Sequence, residues 1–466
     1  MSDSTQMPLE TPLGLAPFES LQAEHEPWLE ACFVPPRYFE LMAGVRSVLV
    51  FGAEGSGKTA LYRALVKRCY GPHGRPVRLL VTWRPALPGQ DVPAGALSVR
   101  EQVRAIFDAS AMALLNHCAH YPDDFAAAPR WVKSIFVWFI HSYIQGDLRA
   151  RLSPLLEASE NPQVLREILE TAPPEVFSPH SAPEQVAARL TEALARIGLQ
   201  GVWVVSDGLM AWDETELAHL SSLIKAFLST LPLFEQAQFT YKLLLPSRLE
   251  SMLLHATALV RQRVDGYHLE WDVPGLQQIV ERRLALAFGR HPFTLGDLYE
   301  APAELLRWLE RAGGASPRAW LAQVRPLVAH YTNHALDHPV DVPTWRKLRR
   351  HHPPRLYLDE KSRQVIVGGR PLSPEELPSR GYEVLAYLYR HGGRVVSKGE
   401  LYFCAYRGLE RVPTSPAEKA YESPKDYEGL IDTLLWRLRQ AIEPEPSDPV
   451  LLVTVRGQGI RLESCW

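Results

Sequence analysis

Ser47-Val48-Leu49-Val50-Phe51-Gly52-Ala53-Glu54-Gly55-Ser56-Gly57-Lys58-Thr59 is the stretch on which the reading of this chain turns. Its first five residues form a short apolar run that stops at a glycine, the pattern of a buried parallel strand. Apolar residues at Leu61, Tyr62, Leu65 and Val66 follow at helical spacing, predicting a helix over Thr59 to Tyr70. Between strand and helix, Gly52 to Thr59 meets G-x-x-x-x-G-K-[ST] at every fixed position. Glycines at those places let backbone N–H groups curl around phosphates, and the helix N-terminus adds positive dipole. Lys58 then reaches the β- and γ-oxygens while the Thr59 hydroxyl ligates Mg²⁺.

Moving outward, strands are expected at Val77 to Trp83, Gly201 to Ser206, Tyr241 to Leu245 and Val264 to Trp271, separated by helical stretches at 97–120, 130–157, 183–197 and 214–231. Strands alternating with helices predict an α/β domain with a mainly parallel sheet. The strand Val202-Trp203-Val204-Val205-Ser206 ends on Asp207, a carboxylate placed where the carboxyl edge of a sheet would meet a metal held by the loop. The interval 97–197 is too long for one crossover and reads as a helical insertion. The domain plan is a leader over 1–45, a P-loop ATPase core over 46–272, a helical lid over 273–340, a basic linker over 341–354 and a separate domain over 355–466.

Composition narrows the classes. The chain has 466 residues, 46% hydrophobic, with 50 Lys+Arg against 53 Asp+Glu for a net charge of -3. That mixture excludes a wholly disordered or fibrous protein. No apolar run reaches the length of a membrane span. The first 16 residues lack the basic head and apolar stretch of a signal peptide, so the expected location is cytoplasmic. The five cysteines, Cys32, Cys69, Cys118, Cys404 and Cys465, have no paired spacing and are expected to be reduced thiols. The 39 prolines gather between periodic segments and mark boundaries.

In the C-terminal region, Tyr382 to Arg390 has helical periodicity and ends at His391-Gly392-Gly393; Ser397 caps a second helix; and Tyr427 to Glu443 is amphipathic, with Leu430, Ile431, Leu434, Leu435 and Leu438 apolar. Leu451 to Leu462 reads as two β-rich runs around a glycine turn, a hairpin. Helix, helix, helix, hairpin is the winged-helix order.

The loop at 52–59, the strand end Asp207-Gly208-Leu209 and the strand Lys242-Leu243-Leu244-Leu245-Pro246-Ser247 together resemble the STAND class of P-loop ATPases, AAA+-related proteins that include the NACHT group. The resemblance covers about residues 18–335. It implies binding of ATP and Mg²⁺, with Gly52, Ala53, Glu54, Gly55, Ser56, Gly57, Lys58 and Thr59 around the nucleotide and Thr59 and Asp207 on the metal. The Lys242 strand is similar to sensor 1; Gly313-Gly314-Ala315-Ser316-Pro317-Arg318 is similar to sensor 2, which implies that Arg318 reaches the γ-phosphate. NACHT-like relatives often continue D-G-L-D-E, whereas Met210 and Ala211 stand here. A hydrolytic base would then come from Asp213 or Glu214, which implies slow ATP hydrolysis used as a switch.

Gly393-Arg394-Val395-Val396-Ser397, Glu400-Leu401, Ile431-Asp432, Arg437-Leu438-Arg439 and Thr454-Val455-Arg456-Gly457 with Gly459, Arg461 and Leu462 resemble the OmpR/PhoB-type DNA-binding domain of response regulators. That resemblance implies a third helix in the major groove and DNA contacts from Arg437, Arg439, Arg456 and Arg461. Arg346, Lys347, Arg349 and Arg350 of the linker add basic candidates. Two functions stay open. One is an ATP-controlled transcriptional regulator that binds double-stranded DNA. The other is an ATP-dependent assembly switch, able to form homo-oligomers, whose winged helix binds a protein partner through a face built on Leu434 and Trp436. Arg437 and Arg439 fit structural ion pairs equally well. A metabolic kinase is disfavoured, because no small-substrate motif accompanies the loop.

Overall fold

The computed structural model describes residues 12–84, 99–159, 161–176, 181–207, 214–228, 231–254, 264–360, 363–415 and 427–463. It divides into two compact units: Pro35–Ala53 with Gly57–Glu270, and Met1–Val34 with Glu54–Ser56 and Trp271–Trp466.

The unit spanning Pro35 to Glu270 is built on a parallel sheet of β1 (Val48–Gly52), β2 (Leu79–Thr82), β3 (Val202–Ser206), β4 (Phe239–Pro246) and β5 (Asp265–His268), in the order β2-β3-β4-β1-β5. β1 and β3 are buried along their whole length, which is why both read as unbroken apolar runs instead of alternating ones. The long helices around the sheet are α1 (Lys58–Lys67), α2 (Val99–His120), α3 (Arg130–Tyr143), α4 (Leu148–Ala158), α5 (Gln163–Glu170), α6 (Pro183–Arg196) and α7 (Glu214–Leu228). The stretch expected as one helical run over 130–157 is two helices: Gly146 takes φ +85° and Asp147 caps α4 by accepting from the Arg149 amide at 3.0 Å. Phe107 on α2 meets Phe139 of α3 and Phe239 of β4 edge-on, so the insertion packs into the sheet's own core.

One residue breaks the apolar rule of the sheet. Lys242 in β4 is fully buried; its Nζ donates to the Gly44 and Arg46 carbonyls at 2.7 and 2.6 Å and lies 4.9 Å from the Trp203 ring centroid. Burial pulls its pKa down to about 7. Cys69 and Cys118 are buried free thiols pushed up to about 12, which leaves them protonated and unreactive. Cys465 lies outside the described residues.

In the other unit, α8 (Val273–Phe288), α9 (Pro302–Gly313) and α10 (Pro317–Asn333) follow one another with the capping chemistry their sequences announce: Asp272 accepts from Gly275 N, and Ser316 from Ala319 N. The leader holds no long helix among its described residues. It makes helices of three or four residues, tied to α8 where Arg283 grips Glu26 with Nη1 at 3.0 Å and Nη2 at 2.6 Å, both groups buried.

The basic stretch read as a solvated linker is instead a helix, α11 (Val342–His351), capped by Asp341. Trp345 and Arg349, four residues apart, both turn inward; the Arg349 guanidinium sits over Trp308 at 4.8 Å and pairs with Asp448 at 2.5 Å, and Arg350 takes the other oxygen of Asp448 at 2.6 Å. Beyond it come a three-stranded antiparallel sheet of β6 (Leu356–Asp359), β7 (Gln364–Val367) and β8 (Arg370–Leu372), then α12 (Gly381–Arg390) and β9 (Val395–Val396). A helical segment over 398–406, capped by Ser397, leads on to α13 (Tyr427–Ile442) and the hairpin β10 (Leu452–Val455) and β11 (Gly459–Leu462), which pairs with β9. This is the winged-helix arrangement. One hydrophobic cluster takes in Phe18 and runs from Leu276 to Leu462, so α8 to α11 and the winged helix share a core instead of being strung as separate beads.

Candidate nucleotide and nucleic-acid sites

β1 delivers Gly52 to the carboxyl edge of the parallel sheet, and α1 begins at Lys58 with Gly57 as its N-cap. Gly55 and Gly57 take φ of +74° and +96°, the left-handed region that a side chain disfavours, so the glycine spacing is what lets the loop turn. Among the described residues, nothing beyond its chain neighbours and its own helix lies within 4 Å of where a Cβ on Gly57 would stand. Lys58 Nζ folds across it and donates to the Gly52 and Ala53 carbonyls at 2.7 and 2.9 Å. The Thr59 side chain follows on the first turn of α1.

Parallel pairing puts the ends of β1, β4 and β3 at one edge: Gly52 is level with Pro246, and Leu243 with Ser206, after which comes Asp207. Ser206 Oγ is buried with no hydrogen-bond partner among the described residues. Gly52, Lys58, Thr59 and Asp207 thus share the sheet's carboxyl edge. An ammonium, first-turn amides, a hydroxyl and a carboxylate are a set of groups that suits a polyphosphate with a divalent cation. Glu214 opens α7, while Met210, Ala211 and Asp213 lie outside the described residues. Among the described residues no group of three His, Cys, Asp or Glu gathers into an all-protein metal site.

In the unit that includes Glu54–Ser56, those three residues meet the segment before α10. Arg318 Nη1 lies 3.3 Å from Glu54 Oε1, its amide donates to Gly55 O at 3.3 Å, and Ser316 Oγ donates to the same carbonyl at 3.4 Å. Trp271 Nε1 donates to Ser56 O at 2.8 Å. Arg318 is therefore paired to the loop's own carboxylate. Ser316 lies in the segment similar to sensor 2 but was given no role by sequence, and Trp271 was read only as a strand end; the local signal is that each stands at a helix start, Ser316 as N-cap and Trp271 just before the cap Asp272.

α13 divides cleanly into two faces. Ile431, Leu434, Leu435, Leu438 and Ile442 are buried, whereas Thr433, Trp436, Arg437 and Gln440 are exposed. Leu434 is only 6% exposed, which corrects the expected Leu434–Trp436 apolar surface: a helix turns about 100° per residue, so two positions two apart point to nearly opposite sides. Trp436 is 60% exposed. Arg439, expected on DNA, turns to the wing instead and donates through Nε and Nη2 to Leu452 O at 3.1 and 2.8 Å and through Nη2 to Thr454 Oγ1 at 2.7 Å. Arg461 pairs with Glu463. Arg456 is exposed at the hairpin turn, and Arg437 is exposed beside a cleft of about 530 Å³ that Arg311, Glu375, Glu376, Leu377, Pro378 and Trp436 also line. Of the α11 basic residues, Arg349 and Arg350 are engaged with Asp448, leaving Arg346 and Lys347 on the surface. Glu443, buried at the end of α13, accepts from the amides of Val450, Leu451 and Leu452 at 2.6 to 3.1 Å and so sets the entry of β10; nothing in the local pattern announces this.

No family model matches the chain. It is similar to the sensory transduction protein RegX3 of Mycolicibacterium smegmatis, at 36% identity over 109 residues, which are 23% of this chain and 39% of that protein. With RegX3 of Mycobacterium leprae it shares 36% over 112 residues, 23% of this chain and 46% of the relative. The chain thus spans less than half the length of these relatives. Among solved structures, the Thermotoga maritima response regulator DrrB, an OmpR/PhoB homolog, aligns at 17% identity over 62% of this chain and 76% of its own, with a TM-score of 0.18. The Aeropyrum pernix ORC1 protein, solved in complex with DNA, aligns at 14% identity over 96% and 94%, with a TM-score of 0.34. Neither is close enough in shape to bear on the site. A 109-residue stretch of this chain is thus similar in sequence to part of the RegX3 proteins.

Proposed function

We propose that the chain is an ATP-binding regulator that binds double-stranded DNA through its winged helix. The observation that carries it is the presence in one chain of a strand–glycine loop–helix with Lys58 and Thr59 at its mouth and of a winged helix whose α13 presents Arg437 and whose hairpin presents Arg456. In this reading the amides of Gly52 to Gly57 and Lys58 hold the phosphates, and Thr59 and Asp207 hold Mg²⁺. Arg318 exchanges Glu54 for the γ-phosphate, Glu214 serves the attacking water, and turnover is slow enough for the ATP state to persist. Arg437 and Arg456 neutralise phosphates or read bases; Arg439 and Arg461 support the wing. ATP-dependent self-association and a cytoplasmic location accompany the reading; among the described residues no helix is long and apolar enough to cross a membrane. Of the face that the protein-partner alternative would use, Trp436 is exposed and Leu434 is in the core, which favours the DNA reading.

The test is duplex binding by the full chain across a salt series, with and without ATP and Mg²⁺. Log affinity should fall linearly with log salt, and Arg456→Ala should lower the slope by about one. ATP should shift the affinity of the parent protein and leave Lys58→Ala unmoved. Absence of binding at low salt in both nucleotide states refutes the DNA assignment.

A further inference from the structure

The parallel sheet that carries the phosphate loop ends in an open edge. β5 is last in the strand order, and among the described residues it pairs with β1 alone. Leu269 N donates to Phe51 O at 2.7 Å, which turns the odd-numbered residues of this stretch toward β1 and leaves the N–H and C=O groups of Gly266 and His268 on the outer side. Both residues are exposed. Edge strands are commonly guarded by proline, lysine or a bulge; Asp265-Gly266-Tyr267-His268 has neither residue, and its register with β1 is unbroken. Apolar surface borders the edge: Tyr38 lies 5.8 Å from Tyr267, ring centroid to ring centroid, and Tyr38, Leu41 and Val45 are all exposed. At the start of β5, Arg46 pairs with Asp265 at 3.1 Å and stays exposed, and just past its end Glu270 is exposed.

An open edge accepts any extended chain, so the occupant is selected by how the strand matches what is laid on it. β5 matches itself. Placed antiparallel on a second β5 about a two-fold axis at Tyr267, Gly266 and His268 of one copy exchange backbone hydrogen bonds with His268 and Gly266 of the other, about four in all. In that register the two Tyr267 side chains are direct neighbours, and each His268 ring lies over a glycine that has no side chain to obstruct it. The Arg46 end of one copy meets the Glu270 end of the other, cation to carboxylate. We infer that β5 is a self-association edge, through which two copies of this chain join their sheets by antiparallel β5–β5 pairing and cover the apolar flank of Tyr38 and Leu41. The pairing needs neither nucleotide nor DNA, and it gives a surface to the self-association named with the reading above.

Sedimentation velocity of the full chain without nucleotide, across a micromolar concentration series, should show a monomer–dimer equilibrium. Gly266→Pro deletes one outward N–H per chain and none that bonds to β1, a change an edge strand tolerates, and should raise the dimer dissociation constant about 30-fold, the worth of two backbone hydrogen bonds. Gly266→Ala keeps the N–H, and its Cβ would stand 3.9 Å from Phe51, an ordinary contact, so it should dimerise like the parent. Tyr267→Cys opposes itself across the axis and should form an interchain disulfide under mild oxidation that the parent does not form, and should lose it when combined with Gly266→Pro. That crosslink decides the matter if Gly266→Pro lowers the melting temperature. A parent chain that stays monomeric overturns the inference, as does a folded Gly266→Pro chain that dimerises like the parent, or Tyr267→Cys that gives no interchain disulfide. No nucleotide is present in these measurements, so failure of the ATP reading is seen separately.

Discussion

Replacing Glu443 by alanine should open the base of the wing. Its carboxylate accepts from Val450, Leu451 and Leu452, whose backbone enters β10 in a region where all three residues are buried. A buried amide left without an acceptor costs about 1–3 kcal/mol, and allowing for water that follows the lost side chain, Glu443→Ala should cost about 3–5 kcal/mol of local stability. Glu443→Gln retains one acceptor oxygen and should cost less. Burial lifts the Glu443 carboxyl above its ordinary range, against the pull of the three amides. Because the folded pKa is raised, this group's contribution is complete below the unfolded pKa and declines as pH rises through the folded one. The Glu443→Gln penalty is therefore largest near pH 4 and shrinks toward neutrality. Hydrogen exchange of the amides at 450–452, followed by mass spectrometry, reads the local opening without assuming two-state unfolding of a multi-unit chain. Unchanged protection of those amides in Glu443→Ala would refute the reasoning, since it would mean that other groups hold the entry to the wing.

Lys58→Ala should abolish binding of a fluorescent ATP analogue while circular dichroism stays native; unchanged affinity would sink the loop assignment. Lys242, with its pKa depressed to about 7, binds fewer protons folded than unfolded, so parent stability should rise with pH between about 7 and 10 by up to about 1.4 kcal/mol per unit, and Lys242→Met should flatten that rise in denaturant titrations. Glu26→Ala strands the buried Arg283 guanidinium and should cost about 3–5 kcal/mol, read as a lowered melting transition. Asp207→Ala should weaken Mg²⁺-dependent nucleotide binding and turnover together; full turnover would place the metal ligand elsewhere.

Local pattern was enough for the elements that repeat a physical rule over a short span. The unbroken apolar runs of β1 and β3, the glycine spacing of the loop, the Ser397 cap and the glycine-turn hairpin all follow from interactions within a few residues, and they marked the sheet, the phosphate loop and the winged helix in advance. What local pattern could not supply is which of two chemically similar side chains meets a distant neighbour. Arg437 and Arg439 are two positions apart on one helix, yet one is exposed and the other bonds to Leu452, because α13 packs against β10 on one side only. Leu434 reads as surface or core until the facing elements are placed. Arg349 looked like a solvated linker charge and is instead buried between Trp308 and Asp448, about 40 residues back along the chain on one side and about 100 onward on the other. Lys242 sits in an apolar strand because carbonyls nearly 200 residues away receive its ammonium. Composition and periodicity settle what each short segment becomes; long-range closure of the chain decides which charges are left facing solvent.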